Sequence, residues 1–225
     1  MAKPMIRKAP QDPGCSGCAK AYLVLSYAHE TAAHFLKVFD EPGGQKRAKG
    51  GPTDEEQDVL RAMVVFAAAG LDSMLKQLIR DTLPALVEQN EEVKDRLESF
   101  VGDRLLRLGD KDGRRFMTGV LLASSSHEAC VEALVGELTS HSLQSYDELL
   151  RVAAHLDLGG AALGHSKADL KGVLDARNNI VHEMDIDFEQ PKRNRRTHRR
   201  DDMVGYANVL LNTADNVLQA VAKKL

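Results

Sequence analysis

Three side chains able to do chemistry stand close together in residues 175–183, DARNNIVHE: the guanidinium of Arg177, the amide of Asn178 and the imidazole of His182. A guanidinium keeps its charge and grips phosphates or carboxylates through paired hydrogen bonds. An imidazole gains and loses a proton near neutrality, which suits a general base or acid. The bland alternative is a salt bridge of Arg177 or His182 to Asp175 or Glu183, together with a helix C-cap.

The position of Arg177 favours the chemical reading. If residues 167–184 are helical, at about 100° per residue, then Leu170, Val173, Leu174, Ile180, Val181 and Met184 form one apolar stripe, with Arg177 near its middle. A cation on a core-facing position must find a carboxylate, carbonyl oxygens or a phosphate. Asp72 and Asp103 are the candidate counter-ions. Asn178 and His182, four apart, share a face at the edge of the stripe. Arg177 and His182, five apart and about 140° around the helix, do not converge within one copy. Two copies across a seam would bring them together, so the stripe is expected to serve partly as a dimer interface.

The elements that must hold this stretch read as helices. Aromatic residues make up 4% of the 225-residue chain, Trp is absent, and Ala, Leu, Glu, Lys and Arg recur at helical spacing, so the class is all-α. A charged fraction of 28% and an apolar fraction of 43% are those of a water-soluble globular protein, and the net charge of −3 says little by itself. No apolar stretch of membrane-spanning length and no secretory leader are evident, which points to the cytoplasm and away from a membrane.

Residues 1–52 read as an N-terminal extension, one amphipathic helix over 19–39 followed by a flexible linker at 41–52 with four glycines and two prolines. Residues 53–225 read as the main helical domain. Thr53 to Glu56 forms a capping box that opens a long helix, bent or ended at Pro84. A charged helix over 91–108 with a solvated face, shorter helices over 114–122, 128–138 and 146–158, the motif helix capped at Ser166, and a last helix from Asp201 follow.

Between the last two helices, six of the nine residues 192–200 are cationic: Lys192, Arg193, Arg195, Arg196, Arg199 and Arg200. The run emerges from the end of the motif helix, where it would attract a polyanion, and its composition suggests a loop without order before binding. With few aromatics for base stacking, nucleic-acid contact would be led by the backbone phosphates. The Cys15-x-x-Cys18 pair lacks a second ligand pair and reads as tail cysteines, and Cys130 as a small core residue. His29 and His34 share no face, and His127, His141 and His155 belong to no motif. No metal site and no cofactor are expected.

The RNNIVH sequence at 177–182 resembles the R-x4-H motif of HEPN-domain proteins, including the polar residue that often follows the arginine. The resemblance covers about residues 53–225: a long capped helix, the motif near the end of a late helix, a loop and one closing helix. The portion 91–163 is longer than a minimal HEPN bundle requires. The resemblance implies an antiparallel helical bundle that dimerises and places two motif copies in one cleft, acting as a metal-independent endoribonuclease, a toxin or phage-defence effector.

In such a site His182 would act on the ribose 2′-hydroxyl and the leaving oxygen, Arg177 would hold the scissile phosphate, and Asn178 would position phosphate or His182. The product would carry a 2′,3′-cyclic phosphate. RNA, a second copy of the chain, and an antitoxin or regulatory protein are the partners implied. Met184 stands where some toxin members have the tyrosine of an H-x-Y sequence modified by a partner nucleotidyltransferase, so that control is not supported. Many family members are non-catalytic, and a dimerisation or binding module is the alternative.

Overall fold

The computed structural model describes residues 4–41 and 52–225. The expected glycine- and proline-rich linker falls on residues 42–51 and lies outside the described residues. Among the described residues there are eight α-helices and no strand: α1 Ala19–Asp40, α2 Asp54–Gln89, α3 Glu91–Leu106, α4 Lys111–Leu122, α5 Ser126–Thr139, α6 Tyr146–His155, α7 Lys167–Glu183 and α8 Arg200–Ala222. The all-α reading is met.

The long helix α2 is the axis of the bundle, with α1 and α8 packed along it and α3, α5 and α7 set against it. Its start is the capping box read from sequence: Thr53 Oγ1 accepts from the Glu56 amide at 3.3 Å, and the Glu56 carboxylate accepts from the Thr53 amide at 2.8 Å. Two N–H groups that a helix start leaves open are thereby satisfied. The helix does not stop at Pro84 but runs through it to Gln89. Leu83, Leu86 and Val87 are buried and continue its apolar face past the proline. Their packing outweighs the roughly 3 kcal/mol that an interior proline costs.

By length and mean hydropathy α2 is also long and apolar enough to cross a membrane, contrary to the sequence expectation, because Asp72 and Lys76 are its only charges between Arg61 and Arg80. Within the bundle, 56% of its most apolar window is buried.

The first helix packs on α2 and α8, and its Ala21, Leu25, Ala28, Ala32, Leu36 and Phe39 join their core cluster. Gly70 explains how closely α1 and α2 approach. A Cβ built there would stand 2.3 Å from the Cβ of Ala28, so only glycine fits. Cys18 closes the start of α1, fully buried, while Cys15 is partly exposed and both are free thiols. Burial first, then the hydrogen bond with Cys15, pushes the Cys18 thiol up to about 12. Fully buried, Cys18 is part of the core packing between α1 and its neighbours.

The remaining boundaries follow the capping signals. Asn90, Asp110, Ser125, Ser145 and Ser166 each cap the following helix with a side-chain oxygen. α6 ends at His155, earlier than its sequence pattern suggests, because the chain turns through Asp157 at φ 52°. Asp157 is held there by Asn90 at 3.0 Å and Lys224 at 2.5 Å.

Candidate functional site

α7 forms where expected, and its stripe is only partly core. Leu170, Val173, Leu174 and Ile180 are buried, whereas Val181 is 39% and Met184 62% exposed. Phe188, just beyond, is 56% exposed. The apolar surface around the end of the motif thus faces outward. His182 shares that exposed end.

Arg177 is buried, as its stripe position requires. Its Nη1 donates to the side-chain oxygen of Gln144, in the segment before α6, and to Asn178 Oδ1 at 3.0 Å. Its Nε is buried without a partner. No carboxylate among the described residues pairs with it. Asp72 instead accepts from Lys76 at 2.8 Å and from the Leu143 amide at 2.7 Å, and acts on Arg177 only through space. Asp103 lies elsewhere, in a cavity among α3, α5 and α6. Burial lowers the Arg177 pKa and the field of Asp72 opposes this. The group stays cationic, since guanidinium is not deprotonated in proteins. A cavity of about 210 Å³ opens beside it, bordered by Gln144, Tyr146, Lys167, Lys171, Asp175 and Asn178.

The structure joins Arg177 and Asn178 by a hydrogen bond and leaves His182 apart on the exposed end of the helix. No hydrogen bond links Arg177 with His182. One copy therefore presents the two groups separately, as their angular separation anticipates.

Beyond α7, the chain takes two successive left-handed residues, Met184 at φ 53° and Asp185 at φ 59°. The Asp185 amide donates back to the Asn179 carbonyl at 2.9 Å, closing the helix end. The side chain of Asp185 is 1% exposed and accepts from Arg61 Nε at 2.7 Å and from His198 Nε2 at 2.7 Å. Arg61, on α2 and 3% exposed, also donates to the Arg196 carbonyl at 2.6 Å and to Asp58 at 3.0 Å. Gln57 clamps the backbone of His198 in both directions at 3.0 Å. This buried network, which the sequence reading missed, fixes the end of α7 to the first turns of α2. Its signal was present: Arg61 sits between Leu60 and Met63 in the apolar pattern of α2, as Arg177 does in α7.

The basic run is ordered, contrary to the expectation from its composition. Ile186 and Arg195 form an isolated antiparallel bridge, with Asp187 N donating to the Asn194 carbonyl and Arg196 N to the Asp185 carbonyl. Local carboxylates neutralise part of the charge. Arg195 pairs with Asp58 at 2.6 Å, Arg196 lies 3.9 Å from Asp185 and 4.0 Å from Asp187, and Arg200 pairs with Asp40 at 2.6 Å and Asp201 at 2.9 Å. The Asp58 pairing holds that carboxyl below its usual range, mainly through Arg195. Lys192, Arg193 and Arg199 are exposed, with no side-chain partner among the described residues. Of the six cations, these three remain available to a polyanion.

No cluster of metal-ligating side chains occurs among the described residues. Comparison with protein-family models, with curated proteins and with solved structures found no match.

Proposed function

We propose that this protein is a metal-independent endoribonuclease of the HEPN type, active as a dimer in the cytoplasm and serving as a toxin or phage-defence effector. The observation that carries this reading is Arg177: a buried guanidinium held by two neutral amides and paired with no carboxylate. A cation so placed is receptive to an anionic ligand, because no direct ion pair neutralises it and Asp72 acts only through space. The exposed Val181, Met184 and Phe188 support a seam at which a second copy brings its own motif.

In the composite cleft, His182 of one copy withdraws the 2′-hydroxyl proton. The 2′-oxygen attacks the adjacent phosphorus and the bond to the 5′-oxygen breaks, giving a 2′,3′-cyclic phosphate. His182 of the second copy returns a proton to the leaving oxygen. Arg177 stabilises the charge that grows on the phosphoryl oxygens, and Asn178 holds Arg177 in place. Lys192, Arg193 and Arg199 track the RNA backbone without reading its sequence.

A second reading, a non-catalytic dimerisation or binding module, is favoured by the neutralisation of Arg195, Arg196 and Arg200 by nearby acids. Incubation of the purified protein with RNA in EDTA, beside His182→Ala and Arg177→Ala, separates the two. Cleavage by the wild type alone, with cyclic-phosphate ends, supports the nuclease. Intact RNA, or cleavage by His182→Ala at the wild-type rate, leaves the binding module.

A further inference from the structure

The cavity among α3, α5 and α6 plays no part in the reading above. It is a half-open cleft of about 310 Å³ and lies within the portion 91–163, which is longer than a minimal HEPN bundle requires. Four arginines line it: Arg96, Arg104 and Arg107 from α3 and its C-cap, and Arg151 from α6. Two carboxylates, Asp103 and Glu137, stand against them, leaving a surplus of two positive charges.

The acids are not shared evenly. Arg104 donates to Glu137 at 2.8 Å, and Arg151 approaches the same carboxylate at 3.7 Å. Arg104 is also fixed over the Phe100 ring, 5.1 Å from its centroid. Arg96 and Arg107 have no side-chain hydrogen bond or ion pair among the described residues. Two guanidiniums are thus held in place by one acid, while Arg96 and Arg107, exposed to solvent at the rim of the same cleft, are uncommitted.

We propose that this cavity binds a small molecule through a phosphomonoester group. The surplus of two charges matches that group, which carries about −1.5 to −2 at neutral pH, better than a carboxylate or a phosphodiester. Guanidinium forks meet its oxygens in pairs. Phe100, Leu134 and Leu138 add an apolar wall for an organic body. The volume falls at the lower end of small-molecule sites, about 300–1,000 Å³.

His155 supplies an independent handle on the site. Its Nδ1 is 2.9 Å from the Arg151 carbonyl, which can only accept, so Nδ1 carries the proton and Nε2 is the basic nitrogen of the neutral ring. Burial, then the charges of Arg151 and Arg96, keep its pKa below the ordinary value. The groups facing this cavity are Arg96, Asp103, Arg104 and Arg107 from α3, Glu137 from α5 and Arg151 from α6. A bound dianion offsets the arginines and favours protonation of His155, so its pKa should rise on binding.

The test is calorimetric titration of the full chain, without RNA, with AMP, inorganic phosphate and adenosine. AMP or phosphate is expected to bind saturably and adenosine not to bind. Arg96→Ala and Arg107→Ala should each weaken binding about tenfold or more, with unchanged helical circular dichroism. The His155 ring resonances should titrate at higher pH in the AMP-saturated protein than in the free protein. Equal affinities for AMP and phosphate assign recognition to the phosphoryl group alone, whereas tighter AMP adds the apolar wall. Affinities weaker than about 1 mM for both ligands, or binding that survives both substitutions, overturn the proposal. So does binding of oligonucleotide RNA alone through these arginines. RNA cleavage and this titration read different residues, so either inference can fail without the other.

Discussion

Nε2 of His198 lies 2.7 Å from the Asp185 carboxylate oxygen that also accepts from Arg61 Nε. The pair fastens the far end of the basic loop to the residue that terminates the motif helix. The orientation of His182, three residues before Asp185, therefore depends on a charge cluster seated on α2.

Asp185→Ala should destabilise the protein by about 3 kcal/mol, because it leaves the buried Arg61 with only the half-exposed Asp58 as counter-charge. Denaturant unfolding measures this. Asp185→Asn should cost less, since asparagine tolerates the left-handed backbone and still accepts a hydrogen bond. Equal stability of wild type and Asp185→Ala would mean the cluster contributes nothing to the fold.

At the crossing of α1 and α2, Gly70→Ala should cost about 1–3 kcal/mol by overpacking against Ala28. Ala28→Gly in the same chain should recover much of the loss. A double-mutant cycle showing strict additivity would contradict the 2.3 Å approach.

Stability should fall as pH drops below about 6.5. His29 is buried, with Nδ1 on the Arg7 carbonyl at 3.2 Å and Nε2 without a partner. Desolvation lowers its pKa from the ordinary 6.5. The unfolded chain then binds the proton first as pH falls, so stability is lost from 6.5 downward and levels below the folded pKa. His155 acts in the same direction. Unfolding midpoints of His29→Gln should depend less on pH over this window than those of the wild type.

Replacing Lys192, Arg193 and Arg199 together by alanine should weaken RNA binding and reduce its salt slope by about 0.7 per lost phosphate contact. The unfolding midpoint should not move. Arg195→Ala, by contrast, should lower stability as well, because it removes one of the two arginine partners of Asp58 and the donor to the Met184 carbonyl. Unchanged RNA affinity in the triple variant would take the loop out of the binding surface.

The helices were legible because their signals are local. Thr53 and Ser166 announce starts through side chains three residues from their targets, and the spacing of Leu170, Val173 and Leu174 shows which side of α7 is covered. Pro84 misled because the packing that carries α2 past it comes from other helices. Arg177 is legible as a cation in an apolar stripe, and Arg61, between Leu60 and Met63, carries the same signal for the second network. The fates of Arg195 and Arg200 were not readable from composition, since their partners Asp58 and Asp40 lie 137 and 160 residues away. Nor could the charges of α3 be divided between a solvated face and a cavity before α5 and α6 were set against it.

The separation of Arg61 from Asp185 has a consequence for synthesis. Their contact spans 124 residues. As the chain leaves the ribosome, α1 and α2 can pair early, but the guanidinium of Arg61 has no buried counter-charge until nearly the whole protein has been made. An N-terminal nascent fragment must keep that cation wet, which delays closure of the α2 surface and ties completion of the bundle to the arrival of the segment that also carries His182.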